Sequence, residues 1–351
     1  AGFFGPELKF AGHDAIVIEG RAEKPVYLWI REGDGELKDA ERLWGMETGD
    51  VQSEIRRETG DDKTRVAAIG PGGEKMVRYA SVISDLYCAA GRCGMGAVMG
   101  SKRLKAVAVR GTQRVSIADE KTFKSLLKRA RDEAMAGWGQ DLYNYGTDSG
   151  LESLSYSGRL PTKAFMKCTF DGSHRITGET LAKTILKRRE TCPACPDAHY
   201  RIVETRCRYI TDPKYGGPEY ETCASFGSLC MNDDLGVIAK ANELCNRYSI
   251  DTIATGVSIA FAMECYEKGI LTKKDTNGID LSWGNGDAII GMIQKIARRE
   301  GIGDVLAEGV RKAAEKIGGG SEAWALTVKG AELPMHEPRG KKGMGLGYAT
   351  S

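Results

Sequence analysis

The chain has 351 residues, 28% of them charged and 41% in the hydrophobic set, with a formal net charge of +2. That composition is ordinary for a globular chain long enough for two or three domains. The near-neutral balance, with no dominant basic run, argues against a nucleic-acid or general polyanion binder. The longest apolar stretch, "GVSIAFAMECY" from Gly256 to Tyr266, is too short to span a bilayer and reads as a buried helix.

The first third reads as strands. "DAIVIEG", "PVYLWIRE", "TRVAAIG", "MVRYASVIS" and "LKAVAVRG" are β-branched or aromatic runs between charged and glycine-rich turns. Within this part, "IGPGGEK" (Ile69 to Lys75) and "AAGRCGMGAVMGSKRLKAV" (Ala89 to Val107) are the densest glycine segments. Closely spaced glycines let backbone N–H groups approach a phosphate, and Arg92, Lys102, Arg103 and Lys105 would add charge around the same anion. Tight turns between strands are the alternative. Gly94, Gly96 and Gly100 give GxGxxxG, one residue off the dinucleotide fingerprint, in a segment that runs strand to loop to strand; a nicotinamide site is not expected.

After Gly111 the periodicity becomes helical. Phe123, Leu126, Leu127 and Ala130 share a face, as do Ile238, Ala241, Cys245 and Tyr248. Further helices are expected at "GDAIIGMIQKIARRE" and "DVLAEGVRKAAEKIG". The predicted class is therefore α+β: a β-rich domain over 1–112 followed by a mainly helical part. The chain opens on Ala1 without a signal peptide and closes on "GLGYATS", which reads as interrupted; a fragment is expected.

The chain holds ten cysteines and four histidines. Cysteines spread over a long chain of mixed elements point to a reducing, cytoplasmic compartment with some thiols as ligands. "TCPACPDAHYRI" sets Cys192 and Cys195 three apart, with His199 four further on. Pro193 and Pro196 make this a loop, where thiols can converge on a metal. Zinc would want a second pair, and Cys207 has none at that spacing. An iron–sulfur cluster fits if a fourth ligand comes from elsewhere, with His199 as an allowed imidazole ligand or simply a surface residue. Cys245 and Cys265 sit at apolar helical positions and read as packing.

Cys223 follows "GPEYET", whose Glu219 and Glu221 would share one face of an extended segment. If that face lines a pocket, burial makes a carboxylate a usable proton acceptor; a solvated strand edge is the alternative. His336, between prolines in "ELPMHEPRG", is a proton donor or a loop residue bonded to backbone. His13 and His174 carry no surrounding chemistry.

With these segments assembled, the chain resembles the tungsten-containing aldehyde:ferredoxin oxidoreductase family. The resemblance runs through essentially the whole chain and is carried by "GPELKFAGHDAIVIEG", "AGRCGMGAVMGSKRLKAVAVRG", "GPEYET", "ANELCNRYSIDTIATG" and "REGIGDVLAEGVRKAAEKIG". It implies a fragment lacking the N-terminal stretch of the first domain and most of the third, with a mainly helical domain carrying the cluster loop over 113–320 and the start of the truncated third domain over 321–351. It also implies tungsten (or molybdenum) held by two molybdopterins beside a [4Fe-4S] cluster, with a β-rich base and largely helical remaining domains.

By that resemblance Arg92, Gly94, Gly96 and Ala97 belong to a pterin-contacting loop, with Lys102 beside it. Asn246 to Asp251 stands for the motif D-x-x-G-L-(D/C), with Asn246 replacing the acid, Ser249 the glycine, and Asp251 kept. Cys192 and Cys195 match the cluster motif, His199 stands where a third cysteine is usual, and the fourth ligand would lie beyond Ser351. Glu219 or Glu221 and His336 would handle the proton as an aldehyde becomes a carboxylic acid, with electrons passing through the cluster to ferredoxin or another iron–sulfur subunit.

The family's benzoyl-coenzyme A reductase branch, acting on aryl-CoA, is the second reading, and there Cys223 could ligate the metal. A non-catalytic zinc-binding or electron-transfer protein, or a member that has lost its cofactor, are the remaining ones. No nucleic-acid or membrane partner is expected. A homodimer or hetero-oligomer is left open.

Overall fold

The computed structural model describes residues 2–350 and has the α+β order: a mixed sheet in the first third, then mainly helices. Six strands, β1 (Val26–Arg31), β2 (Asp34–Asp39), β3 (Arg65–Ala68), β4 (Val82–Ser84), β5 (Cys88–Ala90) and β6 (Leu104–Arg110), pair in the order β2-β1-β6-β3-β4-β5. β1 and β6 run parallel and the other neighbours antiparallel. β6 is buried from Leu104 to Val109, as an unbroken apolar run in a sheet centre demands. The β1–β2 hairpin turns on Glu32 and Gly33, both at positive φ (49° and 98°), a tight turn whose twist matches its strands.

Several local expectations change. "DAIVIEG" is irregular, with Val17 84% exposed, because its apolar alternation finds no strand to pair with. "MVRYASVIS" becomes strand only at β4; earlier in the run, Arg78 N donates to Ala307 O and Ser81 N to Ser249 O, so the backbone is claimed by the helical region. The glycine stretch is not strand to loop to strand, since helix Met95–Ser101 lies between β5 and β6. Its glycines serve packing: a Cβ on Gly96 would sit 2.3 Å from Ser81 O, and one on Gly94, at φ +69°, 2.2 Å from Arg78 O. Helix Phe4–Phe10, β2 and β5 carry too little periodicity to have been foreseen.

The helical region is built around helices Leu235–Tyr248 and Thr252–Glu267. The second is buried continuously from Ala254 to Cys265, as an all-round apolar helix must be. Ile238, Ala241, Cys245 and Tyr248 are all buried, and Cys265 packs in the same core. Helix Gly286–Arg298 forms as predicted, whereas "DVLAEGVRKAAEKIG" splits into Ile302–Leu306 and Val310–Ile317, separated by Gly309 at φ 82°. No helix among the described residues is long and apolar enough to cross a membrane.

Residues 246–251 stitch the two regions together. Thr48 Oγ1 donates to Asn246 O (2.9 Å), Gly70 N to Ser249 Oγ (2.6 Å) and Asp251 N to Tyr79 O (3.0 Å). Ala80 and Ile250 form an isolated bridge, and Arg247 reaches Glu47 at 2.8 Å. Ser249 ends its helix in the left-handed conformation, φ 57° and ψ 53°, where glycine would be free of strain. The hydroxyl's bond to Gly70 N offsets that cost.

Candidate active site

Two cavities lie along this seam. The first, of ≈ 440 Å³, is lined by Arg92, Gly94, Ala97, Asp251 and Glu332 among others. Arg92 Nη1 donates to Asp251 Oδ2 (2.9 Å) and Nη2 to Glu332 O. Asp251 also caps helix Thr252–Glu267, its carboxylate accepting from Ile253 N (3.3 Å) and Ala254 N (3.0 Å). Burial pushes the carboxyls of Asp251 and Glu332 up, while Arg92 pulls both back. Glu332 Oε1 accepts from Val310 N at 2.9 Å, so nearly every polar atom here is tied down.

Of the basic residues expected around an anion, only Arg92 faces this cavity. Lys102 Nζ donates to Gly20 O (3.0 Å) and Arg103 to Glu23 O, both on the exposed side of the sheet. Lys105 is fully buried and bonded to Glu74 and Met46 O, because β6 is central and its alternate side chains have no exit to solvent. Arg78 and Lys329, which the sequence did not single out, complete the basic lining.

The second cavity, of ≈ 300 Å³, is lined by Cys88, His199, Arg201, Glu219, Glu221 and Asn246 among others. "GPEYET" is not extended there. It enters helix Tyr220–Phe226 with Glu219 at the N-cap position, so the two carboxylates diverge and reach the cavity from different sides. Glu219 Oε2 accepts from Thr147 Oγ1 (2.6 Å) and Oε1 lies 3.9 Å from His199 Nε2. Glu221 Oε2 accepts from Met335 N (2.8 Å) and Oε1 lies 3.3 Å from His336 Nε2. Burial pushes both carboxyls up from the usual range.

His336 stacks on Tyr220, with ring centroids 5.7 Å apart, and Tyr220 Oη donates to Met335 O at 2.6 Å. Lys341 Nζ lies 2.8 Å from His336 Nδ1. An ammonium only donates, so Nδ1 accepts and the ring proton sits on Nε2, facing Glu221. Burial, with Lys341, pushes the imidazole down and keeps it neutral near pH 7.

Behind Glu219 lies a group that no motif signalled. Among the described residues, Asp148, 1% exposed, has neither oxygen hydrogen-bonded, and Arg201, 2% exposed, leaves Nε and Nη1 without partners. Burial drives the Asp148 carboxyl well up. Cys223 is buried against this carboxyl and lines neither cavity; burial raises its thiol well above the ordinary value.

Cys192, Cys195 and His199 all lie in the loop 191–199 that joins β7 (Leu186–Glu190) to β8 (Tyr200–Val203). Cys195 N donates to Cys192 O (3.2 Å), closing a turn, and Cys192 Sγ accepts from Gly2 N (3.3 Å) and contacts Tyr200 Oη at 3.6 Å. His199 faces the second cavity, whereas Cys195 faces helix Glu120–Ala134. Asn246 also faces the second cavity, its Nδ2 donating to Tyr215 O (3.0 Å), while Asp251 faces the first. Among the described residues, no three His, Cys, Asp or Glu side chains converge as a metal ligand set.

The first cavity's lining holds three cations, Arg78, Arg92 and Lys329, while its carboxylates Asp251, Glu308 and Glu332 are bonded within the protein, a donor set that fits a polar, anionic heterocycle. The loop at Cys192 offers thiol and imidazole donors but not an assembled cluster cage.

The sequence matches the families described as "Aldehyde ferredoxin oxidoreductase, N-terminal domain" over residues 1–111 and "Aldehyde ferredoxin oxidoreductase, domains 2 & 3" over residues 121–351. It is 42% identical to a tungsten-containing aldehyde ferredoxin oxidoreductase of Pyrococcus furiosus, over all of this chain and 57% of that protein. A protein of the same description from Thermococcus kodakarensis is 41% identical over the same shares. Among solved structures, the active-site complex BamBC of benzoyl-coenzyme A reductase with 1,5-dienoyl-CoA matches with a TM-score of 0.81. The identity there is 29%, over 95% of this chain and 52% of that one. The chain thus spans little more than half the length of these relatives, and with both family matches together covering nearly all of it, it belongs to the aldehyde ferredoxin oxidoreductase family.

Proposed function

We propose that the full-length protein oxidises an aldehyde to a carboxylic acid, RCHO + H2O → RCOO⁻ + 3H⁺ + 2e⁻, at the seam that carries the two cavities. The observation that carries this reading is the Glu221–His336 pair, 3.3 Å apart, with Glu221 lining the second cavity and each partner separately oriented. Met335 N fixes one Glu221 oxygen and leaves Oε1 as the proton acceptor. Lys341 fixes the His336 tautomer, so Nε2 is the atom that gives or takes a proton. Glu219, braced by Thr147, is a second carboxylate on the same cavity and a reserve base.

Arg92, Gly94, Ala97 and Asp251 are the residues we assign to holding a bis-molybdopterin, with Gly96 packing the loop beneath. When bound, its tungsten (or molybdenum) supplies a two-electron sink and a Lewis acid. Cys192, Cys195 and His199 are the proposed donors to a [4Fe-4S] cluster, supported by their chemistry and shared loop. Ferredoxin-type acceptance of the electrons, a cytoplasmic location, and division of the chain at about residues 112 and 320 belong to the same reading.

Aldehyde-dependent reduction of a viologen by anaerobically purified full-length protein, with metal analysis of the same sample, tests it; inertness toward short, branched and aromatic aldehydes would sink it. The match to the benzoyl-coenzyme A reductase complex favours one second reading, reduction of an aryl-CoA thioester. Dye-linked oxidation of the cyclic dienoyl-CoA product, without aldehyde turnover, would establish that reading instead.

A further inference from the structure

Tyr200 opens β8 directly after His199, and its hydroxyl meets sulfur on two sides. Its backbone is fixed by pairing with Glu190 of β7. Its ring is held by an edge contact with Tyr87, centroids 5.4 Å apart at 69°, and by the His199 ring at 4.6 Å. From this position Oη lies 3.6 Å from Cys192 Sγ and hydrogen-bonds the thiol of Cys88 on β5. The residue therefore ties the cysteine loop of the helical region to an edge strand of the sheet.

The hydroxyl has one proton to give, and the chemistry of the two sulfurs decides where it goes. Cys88 is buried, and a buried thiol keeps its S–H and can donate. Cys192, once bound to iron, is a thiolate and only accepts. The order is then Cys88 S–H to Tyr200 Oη, and Tyr200 O–H to the Cys192 sulfur. Gly2 N donates to the same sulfur at 3.3 Å, so two donors converge on one ligand atom. Donors aimed at a ligand sulfur stabilise the electron-richer, reduced form of a cluster and so raise its potential.

We propose that Tyr200 is a positioning residue that raises the reduction potential of the cluster by hydrogen-bonding Cys192, with Cys88 orienting its hydroxyl. The inference rests on the reading of Cys192 as a cluster donor. A neutral imidazole at His199, in place of a thiolate, pushes the potential the same way. Both devices favour uptake of the electrons that an aldehyde releases.

The test is a redox titration of anaerobically purified full-length protein, read by electron paramagnetic resonance of the reduced cluster. At the parent's midpoint, Tyr200→Phe should lower the ratio of reduced to oxidised cluster roughly three- to tenfold, tenfold being about 59 mV for one electron. Iron content and melting temperature should hold, because the phenyl ring keeps its contacts with Tyr87 and His199. Cys88→Ala leaves the tyrosine hydroxyl in place and should shift the midpoint less, in the same direction. In the parent, one proton coupled to the reduced cluster should exchange in D2O, and Tyr200→Phe should lack it. An unmoved or raised midpoint in Tyr200→Phe, with iron retained, would overturn the proposal and leave the cluster reading standing. Should Tyr200→Phe lose its iron, Cys88→Ala decides: a lowered midpoint upholds the proposal and an unmoved one overturns it. A parent protein without iron would fail the cluster reading itself, and the proposal with it.

Discussion

The two cavities use the same residue types to opposite ends. Around Arg92 and Asp251 every carboxylate has a job in the fold: Asp251 caps a helix and pairs with Arg92, and Glu332 accepts from Val310 N. Around Glu219 and Glu221 the carboxylates keep one oxygen short of a strong partner, facing imidazoles across 3.9 and 3.3 Å. Full satisfaction makes a polar group rigid, whereas partial satisfaction leaves a proton to exchange. On the proposed reading, one cavity holds and the other reacts.

The sharpest way to break that contrast is Glu221→Gln. Glutamine keeps an acceptor for Met335 N but loses basicity, so dye-linked aldehyde turnover should fall by about 10²–10⁴-fold while thermal unfolding barely moves. If turnover survives and Glu219→Gln abolishes it, the roles of the two carboxylates are reversed. Asp251→Ala should do the opposite. Losing the cap and the partly exposed pair with Arg92 should cost about 2 kcal/mol of stability, measured by denaturant unfolding, with cofactor content falling in step.

Asp148→Asn probes the pocket behind Glu219. A carboxyl raised by burial stabilises the fold fully below the unfolded value of about 4 and loses that contribution as pH rises through the folded one. The melting temperature of the variant, relative to the parent, should therefore climb as pH increases from about 4 to 8; a constant difference would contradict it. Ser249→Gly should be the mildest, within about 1 kcal/mol of the parent, because relief of the left-handed strain trades against the lost bond to Gly70 N.

Much of this molecule was legible before its structure. Helix Thr252–Glu267 announced itself as an apolar run too short for a membrane, and β6 as a strand dense in β-branched and small residues. Glu219, Glu221 and His336 stood out by motif, though not their geometry: a single proline and an alternating pair of glutamates cannot tell an extended strand from a helix start. Lys105 misled because its neighbours are basic, while burial is decided by strand order, which is not a local property. Asp148 and Arg201 were invisible for the same reason, since being unpartnered is a fact about the whole packed neighbourhood.

Segment 246–251 has one further implication. It ends one helix, crosses to the sheet domain and starts the next, with Asn246 at one cavity and Asp251 at the other. Five peptide steps can stretch no further than roughly 17 Å, so the segment acts as a gauge that sets the spacing of the two chambers. Side chains along it can be exchanged, as the serine in a glycine's place illustrates. A single inserted residue could not be absorbed so easily, because it would slide Asp251 off both the helix it caps and the arginine it holds.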